Sequence, residues 1–448
     1  MSMIINSITT ETASNANVST WSNALASMIN NDTTVADVSY VNDSFRTAFP
    51  LALPEVTKSA NISHEVEKLV KGIVSDRVRD IFVIINMAIL AQGISIFGVI
   101  ANIINIIVFT KQGFGEAMTV TLTGLAVADL GTVICQVWLS ICWNPWFDFK
   151  RLNLTFRPLQ IVYLSAGHPR LASVRISAGL LAWATLERCL CITLPFKVRE
   201  IITPFRSKVV VIALFIFNTA SAVPFYYTSR IVPFFDSAFN RSYLILAFTN
   251  DRQEIDSVSF AFSVSLTVCS FVAVAVCTIV LVYTLDKASK WRESVTAHSD
   301  VARQEKSASL QSAPLEGSEA ERRHEQNTQS MYAISKSTEV IKKSKQAASN
   351  KNKRAAKMVS IISTIFIVCS LPNTLNQLVM SMVPEYAKNG SYENINQTFW
   401  SLGYMTETVN ASINIFMYFT MSSKYRSTIQ EMLCNRRKEK RALDSKIL

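Results

Sequence analysis

Two short groups of residues and four further charges carry the chemistry available to this chain. Glu187-Arg188-Cys189 sets an acid beside a base, and Asn414-Ile415-Phe416-Met417-Tyr418 sets an amide four residues ahead of a phenol, one helical turn away on the same face. Asp129 and Glu407 each stand alone in an otherwise uncharged run, while Arg170 and Arg175 precede Glu187 in a third. Such groups can pair, hold a cation, or exchange one partner for another. Catalysis would need more: the four histidines, His64, His168, His298 and His324, are scattered, with no metal-ligand spacing and no nucleophile beside a base. The chain reads as a non-enzyme.

The elements that must position these groups are long apolar helices. Segments 81–109, 209–228, 257–284 and 358–383 contain no Asp, Glu, Lys or Arg, and each reaches the ~20 residues that an α-helix needs to cross the hydrocarbon layer. Segments 117–142 and 398–420 tolerate one acid each, Asp129 and Glu407. Segment 169–192 is the least apolar of the seven. With 49% hydrophobic residues gathered into uncharged blocks, the pattern is that of an all-α membrane protein, a seven-transmembrane helix bundle, and not of a globular core.

Two counts orient the bundle. Asn-x-Ser/Thr sequons at Asn17, Asn31, Asn42, Asn61, Asn153, Asn240, Asn389 and Asn396 all fall on one side of the predicted spans, which marks them as candidate glycosylation sites on an extracellular face. Lys and Arg give the complement, with 29 of 44 on the opposite side. The N-terminus is expected outside and the C-terminus inside. The net charge of +11 is therefore a signal of topology and of affinity for anionic membrane lipids, not of nucleic acid.

Residues 1–80 read as a disordered glycosylated extracellular tail, and no basic region followed by an apolar stretch opens it, so the first span is expected to serve as signal and anchor. Residues 81–420 form the bundle, with 285–357 as one long cytoplasmic third loop whose polar middle is expected to be disordered. Its last stretch, from Lys342 to Lys357, is basic and suits either the inner leaflet or a cytoplasmic partner. Residues 421–448 are expected to hold a short amphipathic helix and a basic tail. Of eight cysteines only Cys142 lies near the outside, without an outside partner, so no extracellular disulfide is expected; Cys434 is either a palmitoylation site or a free thiol.

On these residues the chain resembles a class A, rhodopsin-like G-protein-coupled receptor over roughly residues 80–435. Asn102 within Gly98-Val-Ile-Ala-Asn102 resembles the family's Gly-x-x-Gly-Asn, and Leu125-Ala126-Val127-Ala128-Asp129-Leu130 its Leu-Ala-x-x-Asp-Leu. Glu187-Arg188-Cys189 resembles Asp/Glu-Arg-Tyr, Cys369-Ser370-Leu371-Pro372 resembles Cys-Trp-x-Pro, and Asn414 to Tyr418 resembles Asn-Pro-x-x-Tyr. In their order, on the right spans, these motifs are specific. Within the class, 187–195 looks most like invertebrate FMRFamide-type peptide receptors and molluscan chemosensory receptors.

The resemblance implies a heterotrimeric G protein as partner and an extracellular peptide or small-molecule ligand. It makes Glu187, Arg188, Asn414, Tyr418 and Pro372 the coupling and switch residues, with Glu187 holding Arg188 in the resting state and Pro372 bending the sixth helix. Asn102, Asp129, Asn410 and Asn414 become a polar cluster that could hold Na⁺, or else simple interhelical polar contacts; no other cofactor is implied. Candidate ligand contacts are Arg170, Arg175, Asn373, Asn376, Gln377 and Glu407, and an Arg175 to Glu407 ion pair is the competing use of those two charges. Three departures stand out: Ser370 replaces the toggle Trp, Ile415 replaces a Pro, and 229–256 lacks the loop cysteine. Segment 398–420 has no Lys, which excludes retinal attachment. The alternative reading is a membrane channel or transporter, which would more often show internal repeats or several midplane charges.

Overall fold

The computed structural model describes residues 74–147, 152–194, 197–236, 241–310, 353–386 and 390–434. Seven long helices dominate it: α1 (Asp76–Gln112), α2 (Ala117–Cys142), α3 (Pro158–Thr193), α4 (Pro204–Thr228), α5 (Arg252–Leu310), α6 (Lys353–Met382) and α7 (Glu393–Met421), followed by a short α8 over 423–434. Among the described residues six helices are long and apolar enough to cross a membrane, with α5 contributing Glu254–Lys287. The seventh, α7, has 29 residues but is less apolar. Its polarity is turned inward, since Asn396, Glu407, Asn410 and Asn414 are all buried.

The helices are inside-out relative to a water-soluble bundle. On α1, Ile89, Ile96, Ile100, Ile103 and Ile107 are exposed, while Ser95, Asn102 and Asn105 are buried. On α4, Phe205, Val209, Ile212 and Ile216 face outward and Ser207 and Asn218 inward. Lipid accepts the isoleucines, and only the bundle interior can satisfy the amides.

Local chemistry sets the helix ends and irregularities. Gly113, at φ 78°, stops α1 by taking the left-handed conformation that a side chain disfavours. Thr203 caps α4 by accepting from Arg206 N at 3.3 Å, and α4 breaks after Ala220, where Pro224 cannot donate to that residue's carbonyl. Within α3, Pro169 cannot donate to the Ser165 carbonyl, and the preceding turn, Tyr163–Gly167, widens into a π turn closed by His168 N–H on Tyr163 O. A second π turn, Ile85–Leu90, lies in α1.

One expected boundary moves, and three further features come from the structure. The third helix starts at Pro158 and not at 169, because the π turn carries it past the proline. The segment after α4 is a β-hairpin, β1 (Ser229–Asp236) against β2 (Arg241–Phe248), with Val232 opposite Ile245. It is tied down by Leu244 N to Thr155 O at 2.8 Å and by Arg157 Nη2 to the Tyr243 hydroxyl at 2.6 Å, while all eight cysteines are free. Helix α5 continues to Leu310, so the first part of the 285–357 loop is helical; 311–352 lies outside the described residues, as does 1–73. The sixth helix runs unbroken through Pro372.

Helices α6 and α7 meet backbone to backbone at Gly403, where an added Cβ would lie 2.7 Å from Asn373 Cβ and 2.9 Å from its Cα. Thr406, one turn on, donates to Cys369 O at 2.7 Å, beside the carbonyl that Pro372 leaves without its helical donor. Gly403→Leu is therefore expected to destabilise the protein by about 1–3 kcal/mol through overpacking. Gly93→Leu, at a position with nothing within 4 Å, is the control expected to leave thermal unfolding unchanged. Equal melting temperatures for the two variants would refute the close approach.

At the far end from the hairpin, α8 packs on α1 and α7. Tyr425 donates to Asn105 Oδ1 at 2.7 Å, with its ring edge-on to Phe109, which also meets Tyr418 at 5.1 Å. Burial pushes the Tyr425 phenol up to about 12, so it stays a donor at every physiological pH.

Candidate functional site

The bundle interior is organised by a spacing of seven. Gln136 and Asp129 on α2, Arg170 and Ser177 on α3, and Glu407 and Asn414 on α7 are each seven residues, or two turns, apart. Two turns rise about 10 Å and return to nearly the same face. Three inward faces thus supply two polar layers.

In the layer nearer the hairpin, Arg170 is fully buried and every arm of its guanidinium is used. Nε donates to Gln136 Oε1 at 2.8 Å, Nη1 to Glu407 Oε2 at 2.9 Å, and Nη2 to Tyr404 O at 3.0 Å, with the group 3.8 Å from the Tyr404 ring centre. Asn373 donates to the other Glu407 oxygen at 2.7 Å, and Gln136 donates on to Ser140. One ion pair thereby joins α2, α3, α6 and α7. The geometry meets what a buried pair requires, since both charges have further hydrogen bonds.

The alternative Arg175 to Glu407 pair does not form, because Glu407 is taken by Arg170. Arg175 lies five residues beyond Arg170, which turns it about 140° around α3, toward α4 and α5. There it is 3% exposed and donates to two neutral hydroxyls, Ser263 on α5 and, at 2.9 Å, Ser221 at the break in α4. Its Nε is buried without a partner.

The second layer centres on Asp129, which accepts from Ser177 at 2.6 Å and from Asn414 at 2.8 Å. Two of the four expected members thus meet directly. Asn102 instead joins α1 to α7, donating to Ala411 O at 2.8 Å and Gly98 O at 3.0 Å, while Asn410 Oδ1 is buried without a partner.

The expected pairing of Glu187 with Arg188 is absent. Glu187 Oε1 accepts from Thr121 on α2 at 3.1 Å and from Ser207 on α4 at 2.6 Å, and both Glu187 Oε2 and Arg188 Nε lack hydrogen-bond partners. Consecutive helical residues point about 100° apart, which sends the acid into the bundle while the half-buried Arg188 diverges. Tyr418 is buried against Phe109, its hydroxyl unpartnered.

The remaining candidates divide. Asn373 is drawn into the Glu407 network, and Asn376 donates to Asn396 Oδ1 at 3.0 Å and accepts from the Tyr386 hydroxyl at 2.7 Å; Gln377 is half-buried. Asn396, expected as a glycosylation site, is instead 8% exposed, with its amide also donating to Tyr386 O at 2.8 Å. Its sequon falls on the inward face of α7. Asn153 is exposed in a turn and accepts from Arg241, and Cys434 is exposed at the end of α8. Asn17, Asn31, Asn42, Asn61, Asn240 and Asn389 lie outside the described residues. Sequence reasoning missed Gln136, Ser177, Thr121, Ser207, Ser221 and Ser263. The seven-residue spacing from Asp129 and Arg170 was a usable signal for the first two.

A family model, 7 transmembrane receptor (rhodopsin family), matches residues 101–418. The chain belongs to the rhodopsin family of seven-transmembrane receptors. Comparison with curated proteins gave no match. As a member of that family it is a multi-pass membrane receptor and not an enzyme, with a G protein and an extracellular ligand as the partners of its class.

Proposed function

We propose that this receptor sits in the plasma membrane with the hairpin end outside, binds a peptide or a small chemosensory molecule there, and activates a heterotrimeric G protein at the Arg188 end. The observation that carries the reading is the split between the two ends of α3. Near the hairpin, a fully partnered ion pair bridges four helices; at the other end, Arg188 makes no hydrogen bond to Glu187 and has an Nε without a hydrogen-bond partner. One end is held together and the other keeps a cation available to an inserted partner. The test is a screen of peptides and small acids on cells expressing the full chain, read as nucleotide exchange on co-expressed G proteins. Failure of every G-protein class to respond, both to the screen and in basal exchange at verified surface expression, would refute the coupling.

The Asp129 layer also fits a Na⁺ ion. A carboxylate, the Ser177 hydroxyl and the orphaned Asn410 carbonyl one turn from Asn414 are hard oxygen donors of the kind such a cation takes. Asp129→Asn is expected to abolish any Na⁺ dependence of agonist affinity. Persistence of a Na⁺ effect in Asp129→Asn would place the cation elsewhere.

A further inference from the structure

Arg175 is a buried charge without a counter-ion. The four buried acids among the described residues are all engaged elsewhere: Glu407 by Arg170, Asp129 by Ser177 and Asn414, Glu187 by Thr121 and Ser207, and Asp256 by Arg252 at 2.9 Å and Thr228 at 2.8 Å. Arg175 has only the lone pairs of two serines, and Ser221 already donates its own proton to Asn218 O. A guanidinium removed from water needs an anion, because neutral hydroxyls replace its hydration but not its counter-charge.

A second orphan lies on the same face. His168, seven residues before Arg175 and 7% exposed, is stacked on Phe225 at 4.1 Å and edge-on to Tyr163 at 4.6 Å, and its Nε2 has no partner. Two turns separate the two side chains, about 10 Å along α3 toward the hairpin. A cation with an open donor and a polar ring atom framed by aromatics thus lie two turns apart on the face that α3 turns toward α4 and α5.

We propose that Arg175 binds an anion between this face of α3 and helices α4 and α5, either the carboxylate of an extracellular ligand whose apolar body runs toward His168, or a resident inorganic anion such as chloride. The first source rests on the receptor reading above; the second does not. Nε–H and one Nη–H form the side-on fork that a carboxylate accepts in parallel. Arg170, a candidate contact by sequence, is excluded from this role because Glu407 already neutralises it.

The test uses the purified full chain in lipid nanodiscs, with thermal unfolding followed in sodium sulfate, chloride, acetate and 3-phenylpropionate at matched ionic strength. A saturable rise in Tm with chloride or a carboxylate is expected, about 5 °C or more at roughly a hundredfold excess over Kd. It is expected to vanish in Arg175→Gln and to survive in part in Arg175→Lys. A response to chloride alone identifies the inorganic ion. A larger response to 3-phenylpropionate than to acetate, weakened in His168→Ala, identifies a ligand carboxylate. If the parent shows no saturable anion dependence, or Arg175→Gln responds as the parent does, the proposal is wrong; the parent arm decides even where a variant does not fold. Anion binding without G-protein activation would sink the receptor reading alone, and activation without anion dependence would sink this one.

Discussion

Glu407→Gln and Arg170→Gln are each expected to cost the receptor about 3–5 kcal/mol, because each leaves one buried charge facing neutral partners. The loss follows from the geometry: both side chains are almost fully buried, and their 2.9 Å contact is the meeting point of acceptors from α2 and α7 and a donor from α6. The double variant Arg170→Met with Glu407→Met is expected to lose less than either single change, since it removes both charges at once. Thermal unfolding in detergent, together with the fraction of protein reaching the surface, measures all three. Single-variant losses under about 1 kcal/mol would show that water or a bound ion shares the charges, and that the network does not hold the four helices together.

Arg188→Ala is expected to remove G-protein activation, by about tenfold or more given the ~1.5–3 kcal/mol carried by a hydrogen bond to a charged group, with surface expression unchanged. Half-buried and without a hydrogen bond at its Nε or to Glu187, Arg188 contributes little to the resting fold that its removal could damage. Glu187→Gln is expected to raise basal activity, although not by releasing Arg188. Its effect runs through Thr121 and Ser207, whose hydroxyls converge on the same carboxylate oxygen and tie α2 and α4 to α3. Thr121→Val with Ser207→Ala should then reproduce the rise. Normal nucleotide exchange by a well-expressed Arg188→Ala receptor would move the coupling surface elsewhere, and unchanged basal activity in the Thr121 and Ser207 variant would separate Glu187 from the resting state.

Much of this architecture was legible because lipid imposes a simple rule. Each span must satisfy its own backbone hydrogen bonds and show apolar side chains outward, so Ile96, Ile100 and Ile107 declare α1 as plainly as any motif. The same rule made Asp129, Arg170, Arg175, Glu187 and Glu407 conspicuous, since a charge in a span belongs inside. The hairpin of 229–248 was less visible: its strands alternate only weakly, and its ties to Thr155 and Arg157 come from a segment far away in the chain.

Sequence by itself determined that a helical bundle would enclose these charges, and, through the pairs 129 and 136, 170 and 177, and 407 and 414, that they would fall in layers two turns apart. Only the tertiary structure decided who meets whom. Which arginine reaches Glu407 depends on rotational phase, and the five residues between Arg170 and Arg175 turn one toward α7 and the other toward α5. The π turn ahead of Pro169 shifts the residues before it by about 100° and leaves Arg170 and Arg175 in regular helical phase with each other. Rotational phase likewise sends Glu187 inward and Arg188 aside, and puts the Asn396 sequon on the inward face of α7. Spacing along a chain fixes the interval between side chains on one helix, whereas the relative rotation of two helices is set only when their faces pack.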